Sequence, residues 1–202
     1  LKKILFGKHR KRIHVIENYI DTSTFRKIKK RKNKNKILLV SRLSKEKNIE
    51  FLINALKGTK IEADIIGTGK EKLNLKKYAK KNHVKINFLG KKMNHKLPHF
   101  INSYYVYVIC SKIEGNVKSL LEAMSCESIC IGTKVPGIKN LISNNNNGIL
   151  VNNPIQLRLA IQKILKNPKK FSKLGKKARQ RILRHNSSNN FFKKELKLIN
   201  SI

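Results

Sequence analysis

Two carboxylates, Glu114 and Glu122, are separated by seven residues in the segment from Cys110 to Cys126, which leaves an apolar run and continues with helical spacing. Gly115 and Asn116 follow Glu114, and a glycine lets the backbone come close to a ligand. The free N–H groups of a helix beginning here attract a phosphate, and a carboxylate just before it can accept hydrogen bonds from sugar hydroxyls. Alternatively, Glu114 is an ordinary loop acid and Glu122 an ordinary helix-surface acid, but two of only 11 acids beside one predicted cleft favour a binding site.

A second set of polar residues occurs in the segment VSRLSKEKN, residues 40–48, which also leaves an apolar run and enters a helical pattern. Here Arg42 could grip two oxygens of a pyrophosphate at once, and Lys47 could act as a point charge. Taken alone, this segment is better explained as two more cations in a chain that has 47 Lys and Arg. Gly67 and Gly69 follow the next apolar run, where a plain tight turn is the simpler interpretation.

Short apolar runs rich in β-branched residues alternate with longer, lysine-rich segments of helical period. The runs predict strands at 36–40, 62–66, 84–89, 104–110, 128–132 and 148–151, and the segments between them predict helices at 48–57, 70–81, 96–102, 118–126 and 137–142. After Val151 the pattern is helical, with Pro154 and Pro168 as helix-starting residues and Leu159, Ile161, Ile164 and Leu165 as an apolar stripe.

This alternation predicts an α/β fold, a Rossmann-like doubly wound parallel sheet with helices on both faces and C-terminal helices. The strands are nearly continuous apolar segments, as expected where both faces of a sheet are covered. Ligands of such sheets bind outside the carboxyl ends of the strands, so we expect the functional site at that edge.

The formal net charge of +36 has two interpretations. One is attraction to phosphate groups of nucleic acid, anionic lipid or a phosphorylated substrate; the other is codon bias, because Lys, Asn and Ile are over-used together. The chain has no helix-turn-helix signature, zinc-finger spacing or aromatic stacking platform, so we expect no nucleic-acid partner. Contact with an anionic membrane surface is a further expectation.

Three cysteines, Cys110, Cys126 and Cys130, cannot all pair, and their apolar surroundings predict buried thiols in a reducing compartment. Cys126 and Cys130 are four positions apart, but no His or third Cys lies nearby at ligand spacing, so no metal site is expected. A membrane-spanning helix needs about 20 apolar residues, and no apolar run in the sequence approaches that length. We therefore expect a cytoplasmic protein, with peripheral contact at the inner face of the cell membrane.

The order of these motifs is similar to that of a known family. Arg42 and Lys47, the glycines 67 and 69, the run ending Phe88-Leu89-Gly90, and the E-x7-E segment EGNVKSLLEAMSC are followed by Pro136-Gly137-Ile138 and Asn147-Gly148-Ile149-Leu150. Together they resemble the carboxyl-terminal, donor-binding domain of the group 1 (family 4) retaining glycosyltransferases, which have the two-domain GT-B fold. The resemblance covers about residues 13–185, and the E-x7-E segment with its LLEAM sequence is its most specific part.

The resemblance implies a role for each matching residue. Arg42 and Lys47 would hold the donor diphosphate, and Glu114 would bind the donor sugar, which makes these three the predicted catalytic residues. Glu122 would hold the ribose hydroxyls. The remaining predicted donor-binding residues are Gly115, the amides of Asn116, Val117 and Lys118, the two glycines Gly67 and Gly69, and the backbone at Leu89, Gly90 and Lys91. The family needs neither a metal nor another cofactor, and its donor is a nucleotide diphosphate sugar.

The resemblance also implies a domain organisation. We expect residues 1–32 to lead in from an N-terminal acceptor domain absent from this sequence, 33–185 to bind the nucleotide sugar, and 186–202 to form a C-terminal helix. The whole protein would then transfer a sugar, as a hexosyltransferase-type enzyme, to a lipid-linked or polysaccharide acceptor. The alternatives are a basic module for nucleic acid or anionic membranes and an inactive remnant. The chain departs from the family at Val117, where a proline is usual, and at Glu127 to Ile129, where Gly-x-Pro is common.

Overall fold

The computed structural model describes residues 18–30, 32–115 and 117–200, which contain a six-stranded, entirely parallel sheet in the order β3-β2-β1-β4-β5-β6. The strands are β1 (Lys36–Val40), β2 (Glu62–Ile66), β3 (Ile86–Gly90), β4 (Val106–Ile109), β5 (Ile129–Thr133) and β6 (Ile149–Val151). The predicted Rossmann-like fold class is thereby confirmed.

The helices cover both faces of this sheet. They are α1 (Ile49–Leu56), α2 (Lys72–Lys81), α3 (Leu97–Ile101), α4 (Lys118–Ser125), α5 (Pro136–Lys139), α6 (Pro154–Lys166), α7 (Pro168–His185) and α8 (Ser188–Ile199), with 3-10 turns at Lys45–Lys47 and Asn94–Lys96. The prolines 154 and 168 begin α6 and α7 as predicted. Asn153 and Asn167 cap these helices by accepting hydrogen bonds from backbone N–H groups of their first turns.

Each strand contributes to two separate apolar cores because successive side chains point to opposite faces. Ile37 and Leu39 of β1 lie in the core beneath α1, α2 and α6, whereas Leu38 lies in the core beneath α4 and α7. All three side chains are buried. This double coverage explains why the strands are continuous apolar runs rather than alternating ones.

Several predicted boundaries are corrected by local backbone geometry. Val84 lies in the turn that closes α2 rather than in β3, because its N–H donates to the Ala79 carbonyl after His83 turns at φ 55°. Ser128 likewise closes α4, with its N–H on the Ala123 carbonyl. Regular pairing of β4 begins at Val106, so the predicted strand 104–110 is too long. Leu159, predicted on the apolar stripe of α6, is 55% exposed, whereas Ile161 and Ile164 of the same stripe are buried.

The described part of the predicted lead-in segment packs against the last helices. Ile20 and Phe25 are buried in the core that contains Ala178 and Ile182 of α7. The guanidinium of Arg179 donates to the carbonyl of Phe25 at 3.0 Å. Residues 18–30 are therefore part of the same folded unit as the sheet, while residues 1–17, 31, 201 and 202 lie outside the described residues.

Candidate functional site

The order of the strands reverses direction between β1 and β4, which are neighbours in the sheet although β2 and β3 lie between them in the chain. The chain leaves β1 towards β2 on one side and leaves β4 towards β5 on the other, so the topological switch point of the sheet lies between the two loops that follow these strands, and we call this place the crevice. Open α/β sheets bind their ligands at such a switch point. Arg42 and Lys47 follow β1, and Glu114 follows β4, so the structure brings all three predicted catalytic residues to this crevice.

The closest contact in the crevice joins the two loops. Nζ of Lys47 lies 2.5 Å from Oε1 of Glu114, and the hydroxyl of Ser111 donates to the same oxygen at 2.6 Å. The loops are also joined through the backbone, because the N–H of Lys112 donates to the carbonyl of Glu46 at 2.8 Å. Both side-chain contacts use Oε1, which leaves Oε2 of Glu114 to accept a hydrogen bond from a ligand.

Arg42 is the exposed cation of this site. Its side chain is 81% exposed, and Nη2 lies 3.9 Å from Oε1 of Glu46. Glu46 also accepts a hydrogen bond from the hydroxyl of Ser44, which together with the backbone and the charge of Arg42 lowers the pKa of its carboxyl. An ion pair this long and this exposed holds the guanidinium only weakly, so Arg42 is able to reach an anion in the crevice.

Gly67 and Gly69 determine how closely the loop after β2 approaches the loop that carries Arg42. Gly67 has φ 141°, and a Cβ added there would lie 1.8 Å from the carbonyl oxygen of Ser41. A Cβ at Gly69 would lie 2.2 Å from the carbonyl oxygen of Leu43. Glycine is therefore required at both positions for backbone packing, and this packing fixes the position of the Arg42 loop.

Glu122 is not a helix-surface carboxylate. It is 4% exposed within α4, and Nδ2 of Asn94 donates to its Oε1 at 3.0 Å. Burial raises the pKa of the Glu122 carboxyl, while the hydrogen bond from Asn94 and the charge of Lys118 lower it in part. A buried carboxylate near the carboxyl ends of the strands is a strong acceptor for a hydroxyl, because few water molecules compete for it.

The other predicted donor-binding residues lie at the end of β3 and on the loop that carries Glu114. Leu89, Gly90 and Lys91 lie at the end of β3, where Gly90 has φ 70°. Val117 is buried at the start of α4, Lys118 is exposed, and Gly115 has no heavy atom within 4 Å of an added Cβ. Asn116 lies outside the described residues.

Three residues of the site were not identified by sequence reasoning. Asn94 holds Glu122, Ser111 holds Glu114, and Gly137 lets the start of α5 touch the Glu114 loop, since a Cβ at Gly137 would lie 2.2 Å from the Glu114 carbonyl oxygen. Gly137 carried a signal in the Pro-Gly-Ile motif. Asn94 and Ser111 carried none, because one polar residue in a loop is ordinary.

A groove formed by other described residues lies elsewhere. It has a volume of about 870 Å³, runs between edge strand β6 and α6, and is lined by Lys134, Leu159 and Phe171 among others. None of the predicted site residues lines it. In the described part of the chain, no three His, Cys, Asp or Glu side chains gather where they could hold a metal ion, and no helix is long and apolar enough to span a bilayer.

The family model "Glycosyl transferases group 1" matches residues 21–181. This chain belongs to the group 1 glycosyltransferase family. The predicted resemblance is thereby confirmed, and the match includes every residue of the crevice described above.

Curated relatives of this glycosyltransferase chain are longer than it is. An uncharacterized glycosyltransferase of Methanocaldococcus jannaschii is 27% identical over 146 residues, which make up 71% of this chain and 42% of the relative. The N-acetyl-alpha-D-glucosaminyl L-malate synthase of Bacillus anthracis is 28% identical over an alignment of 192 positions, and the alignment covers 87% of this chain and 50% of that protein. The chain therefore spans half or less of the length of these relatives.

Solved structures show the same fold at low sequence identity. Anabaena HepE in complex with UDP-glucose superposes with a TM-score of 0.86 at 18% identity, covering 97% of this chain and 59% of HepE. The C-terminal domain of the group 1 glycosyltransferase LpcC from Francisella tularensis superposes with a TM-score of 0.72 at 21% identity, covering 84% of this chain and 99% of that domain. This glycosyltransferase chain thus has the fold of a carboxyl-terminal GT-B domain.

Proposed function

We propose that the described domain binds a nucleotide diphosphate sugar at the crevice between β1 and β4 and that the whole protein transfers the sugar to an acceptor. The observation that supports this proposal is the Lys47–Glu114 contact at the switch point of the sheet, where a cation lies beside the carboxylate to which we assign the donor sugar. The complex of HepE with UDP-glucose supports the ligand class, since that protein has the same fold.

The charges of the crevice suit a donor with two phosphates. The ammonium of Lys47 forms an ion pair with the carboxylate of Glu114, whereas the side chain of Arg42 is free to move towards the diphosphate. Two cations at the leaving group would stabilise the negative charge that develops on the departing nucleotide. This assignment of charge stabilisation to Arg42 and Lys47 accounts for transfer without a metal ion or another cofactor.

The carboxylates have distinct roles in this proposal. Oε2 of Glu114 accepts a hydrogen bond from a hydroxyl of the donor sugar, with the backbone of Gly115, Asn116, Val117 and Lys118 alongside. Glu122, held by Asn94, accepts from the ribose hydroxyls. The base lies against the backbone of Leu89 to Lys91 at the end of β3.

The remaining parts of the proposal concern the whole protein. Transfer proceeds with retention of configuration, as a family 4, hexosyltransferase-type reaction, to a lipid-linked or polysaccharide acceptor bound by a second, N-terminal domain. The protein acts in the cytoplasm, with its basic surface at the inner face of the membrane, where an anionic lipid headgroup attracts each surface cation by about 1 kcal/mol.

The proposal is tested by thermal unfolding of the 202-residue chain with UDP, GDP and ADP. A ligand that binds only the folded state stabilises it by about 2.7 kcal/mol at a concentration of 100 times Kd. We expect one nucleotide to raise the unfolding temperature, and we expect Glu122→Gln to abolish the increase. The matched control is Glu50→Gln on α1, which removes the charge of an exposed carboxylate outside the crevice.

The outcomes separate the alternatives. Stabilisation by one nucleotide that survives in Glu50→Gln and is lost in Glu122→Gln supports the donor site and identifies the base. The proposed site is wrong if both variants respond like the wild type. If no nucleotide stabilises the chain at any concentration, a basic module or an inactive remnant is the better interpretation.

A further inference from the structure

The groove between β6 and α6, with a volume of about 870 Å³, is lined by apolar side chains and cations together. Its apolar lining comes from β6 and from Leu159, Ala160 and Phe171. Its cations are Lys134, Lys163, Lys166 and Lys170. Small-ligand sites usually have volumes in this range and a mostly apolar lining with a few polar groups. The groove therefore has the size and the mixed chemistry of a binding site.

Leu159 extends the apolar surface of α6 beyond its contact with the sheet. Ile161 and Ile164 of this helix are buried in the core, whereas Leu159 is 55% exposed and lines the groove. A single exposed leucine is ordinary, but Leu159 shares a concave surface with Ala160 and Phe171. Covering its side chain would remove apolar surface from water, which favours a ligand with an apolar part.

The lysines of the groove have no partner of opposite charge. Within the described residues, no ion pair and no side-chain hydrogen bond is formed by the ammonium groups of Lys134, Lys163, Lys166 and Lys170. All four side chains are exposed, and no acidic residue is among those that line the groove. The groove therefore collects positive charge that an anionic group of a ligand would neutralise.

The sequence around the groove supplies no acid either. From Ser128 to Lys194 the chain contains no Asp or Glu, and every residue that lines the groove falls within this stretch. A codon bias towards lysine adds cations to a chain but does not remove its acids. The absence of acids is therefore an observation separate from the abundance of lysine, and it keeps the groove basic.

The edge of the sheet beside the groove is capped against another strand. β6 is the last strand in the sheet order, and the carbonyl of Val151 accepts a hydrogen bond from the N–H of Lys134 at 3.1 Å. The N–H of Leu150 instead donates to Oδ1 of Asn144 at 2.9 Å. An edge whose donor is already bound is a poor template for strand addition. The groove therefore suits a ligand that inserts an apolar group better than a peptide that extends the sheet.

The lining also distinguishes the groove from the donor crevice. The crevice has the carboxylates of Glu114 and Glu122, whereas no carboxylate lines the groove. The hydroxyls of a sugar or a ribose are held most strongly by charged acceptors, but an acyl chain needs no acceptor. This difference favours an acyl chain with an anionic headgroup over a second nucleotide.

We propose that this groove binds an anionic phospholipid. Its acyl chain lies against Leu159, Ala160 and Phe171, and its phosphate lies among the lysines of the groove. None of the lining residues is assigned to the donor crevice. The site therefore does not depend on the proposed transfer reaction, and the two can be tested separately.

Calorimetric titration of the 202-residue chain with lysophosphatidic acid, kept below its micelle concentration at physiological salt, tests the site. Glycerol 3-phosphate presents the phosphate without an acyl chain, and lysophosphatidylcholine presents the chain with a neutral headgroup. We expect lysophosphatidic acid to bind at least about tenfold more tightly than either, because only it uses both the apolar lining and the cations.

A pair of charge variants tests the headgroup contact. The groove variant combines Lys163→Gln with Lys166→Gln. The control combines Lys173→Gln with Lys176→Gln, which removes the same charge from exposed positions of α7 outside the groove. We expect the affinity for lysophosphatidic acid to fall by about tenfold or more in the groove variant and to change less than about twofold in the control.

A pair of apolar variants tests the chain contact. Leu159→Gln is matched by Ile155→Gln, since Leu159 is 55% exposed and Ile155 is 65% exposed on the same helix, but only Leu159 lines the groove. We expect Leu159→Gln to lower the affinity by about tenfold and Ile155→Gln to leave it within about twofold. The four variants should unfold near the wild-type temperature, because each changes exposed side chains.

The lipid site is overturned if the wild type binds lysophosphatidic acid no better than glycerol 3-phosphate, or if each groove variant and its control lose equal affinity. It is also overturned if the chain dimerises, Leu159→Gln makes it monomeric, and neither protein binds the lipid, because the groove is then an interface between copies. Stabilisation by nucleotides should be the same in all four variants. The donor site and the lipid site can therefore fail independently.

Discussion

The ammonium of Lys47 lies 2.5 Å from Oε1 of Glu114, although 67 positions separate the two residues in the chain. The Lys47 side chain is 16% exposed and the Glu114 side chain 8%, so water screens the pair only in part. The pair joins the turn after β1 to the loop after β4 at the switch point of the sheet. It therefore contributes both to the stability of the crevice and to the proposed chemistry.

This coupling is measurable by a double-mutant cycle. Lys47→Met and Glu114→Gln should each lower the free energy of unfolding by about 1–3 kcal/mol, because each leaves a partly buried charge without its partner. The double variant should lose less than the sum of the two, by about 0.5–3 kcal/mol. Urea unfolding of the four proteins measures both quantities, and strictly additive losses would show that the contact contributes nothing to stability.

Arg42 should affect chemistry without affecting folding. Its side chain is 81% exposed, so Arg42→Ala should change the free energy of unfolding by less than about 0.5 kcal/mol. In the whole enzyme the same change should lower turnover by about 100-fold, the loss typical of one transition-state contact. Lys45→Ala is the control, since Lys45 is an exposed cation in the same loop between β1 and α1. Equal turnover of both variants and the wild type would remove Arg42 from the proposed mechanism.

Gly67 should tolerate no side chain. In Gly67→Ala the new Cβ would lie 1.8 Å from the Ser41 carbonyl oxygen at φ 141°, so the backbone must shift. We expect the free energy of unfolding to fall by about 3 kcal/mol, since strain and overpacking add. Gly115→Ala is the matched control, because no heavy atom lies within 4 Å of its added Cβ. Equal denaturation midpoints for the two variants would contradict the packing role of Gly67.

Glu122 should make stability depend on pH in the opposite sense from a salt-bridged carboxylate. Its pKa in the folded chain is raised by burial, so the folded state holds the proton more tightly than the unfolded state. The contribution of Glu122 to the free energy of unfolding is therefore complete below the ordinary pKa of glutamate. It is lost as the pH rises through the raised pKa that Glu122 has in the folded chain.

Replacement by glutamine isolates this effect. The free energy of unfolding of the wild type, relative to that of Glu122→Gln, should decrease as the pH rises from the ordinary pKa of glutamate through the raised value. Urea unfolding of both proteins between about pH 4 and pH 8 measures the difference. A difference that increases with pH would show that hydrogen bonding to the carboxylate outweighs burial.

The elements of the fold were predictable because their signal is local. The strands β1 and β2 have the predicted bounds, and both prolines 154 and 168 begin helices, since these patterns depend on a few consecutive residues. Leu159 was assigned wrongly to the buried stripe of α6, because a helical stripe shows which residues share a face but not how much of that face the sheet covers.

The site was predictable only in part. Glu114 and Glu122 lie on the loop and the helix that follow β4, and Arg42 and Lys47 follow β1 on the other side of the switch point. Their roles, and those assigned to the glycines and to the end of β3, stay predictions. Asn94 and Ser111 could not be found, because each acts through one contact with a residue distant in the chain.

The sequence by itself determined the alternation of strands and helices, and therefore that the loops carrying Arg42, Gly67 and Glu114 gather at the carboxyl edge of one sheet. The tertiary structure decided that Lys47 meets Glu114, that Gly67 packs on Ser41 and that Glu122 is buried beside Asn94. The physical reason is that periodicity over a few residues fixes local structure. Contacts between distant residues depend on which strands lie side by side, and that order is established only when the apolar faces of the whole domain pack together.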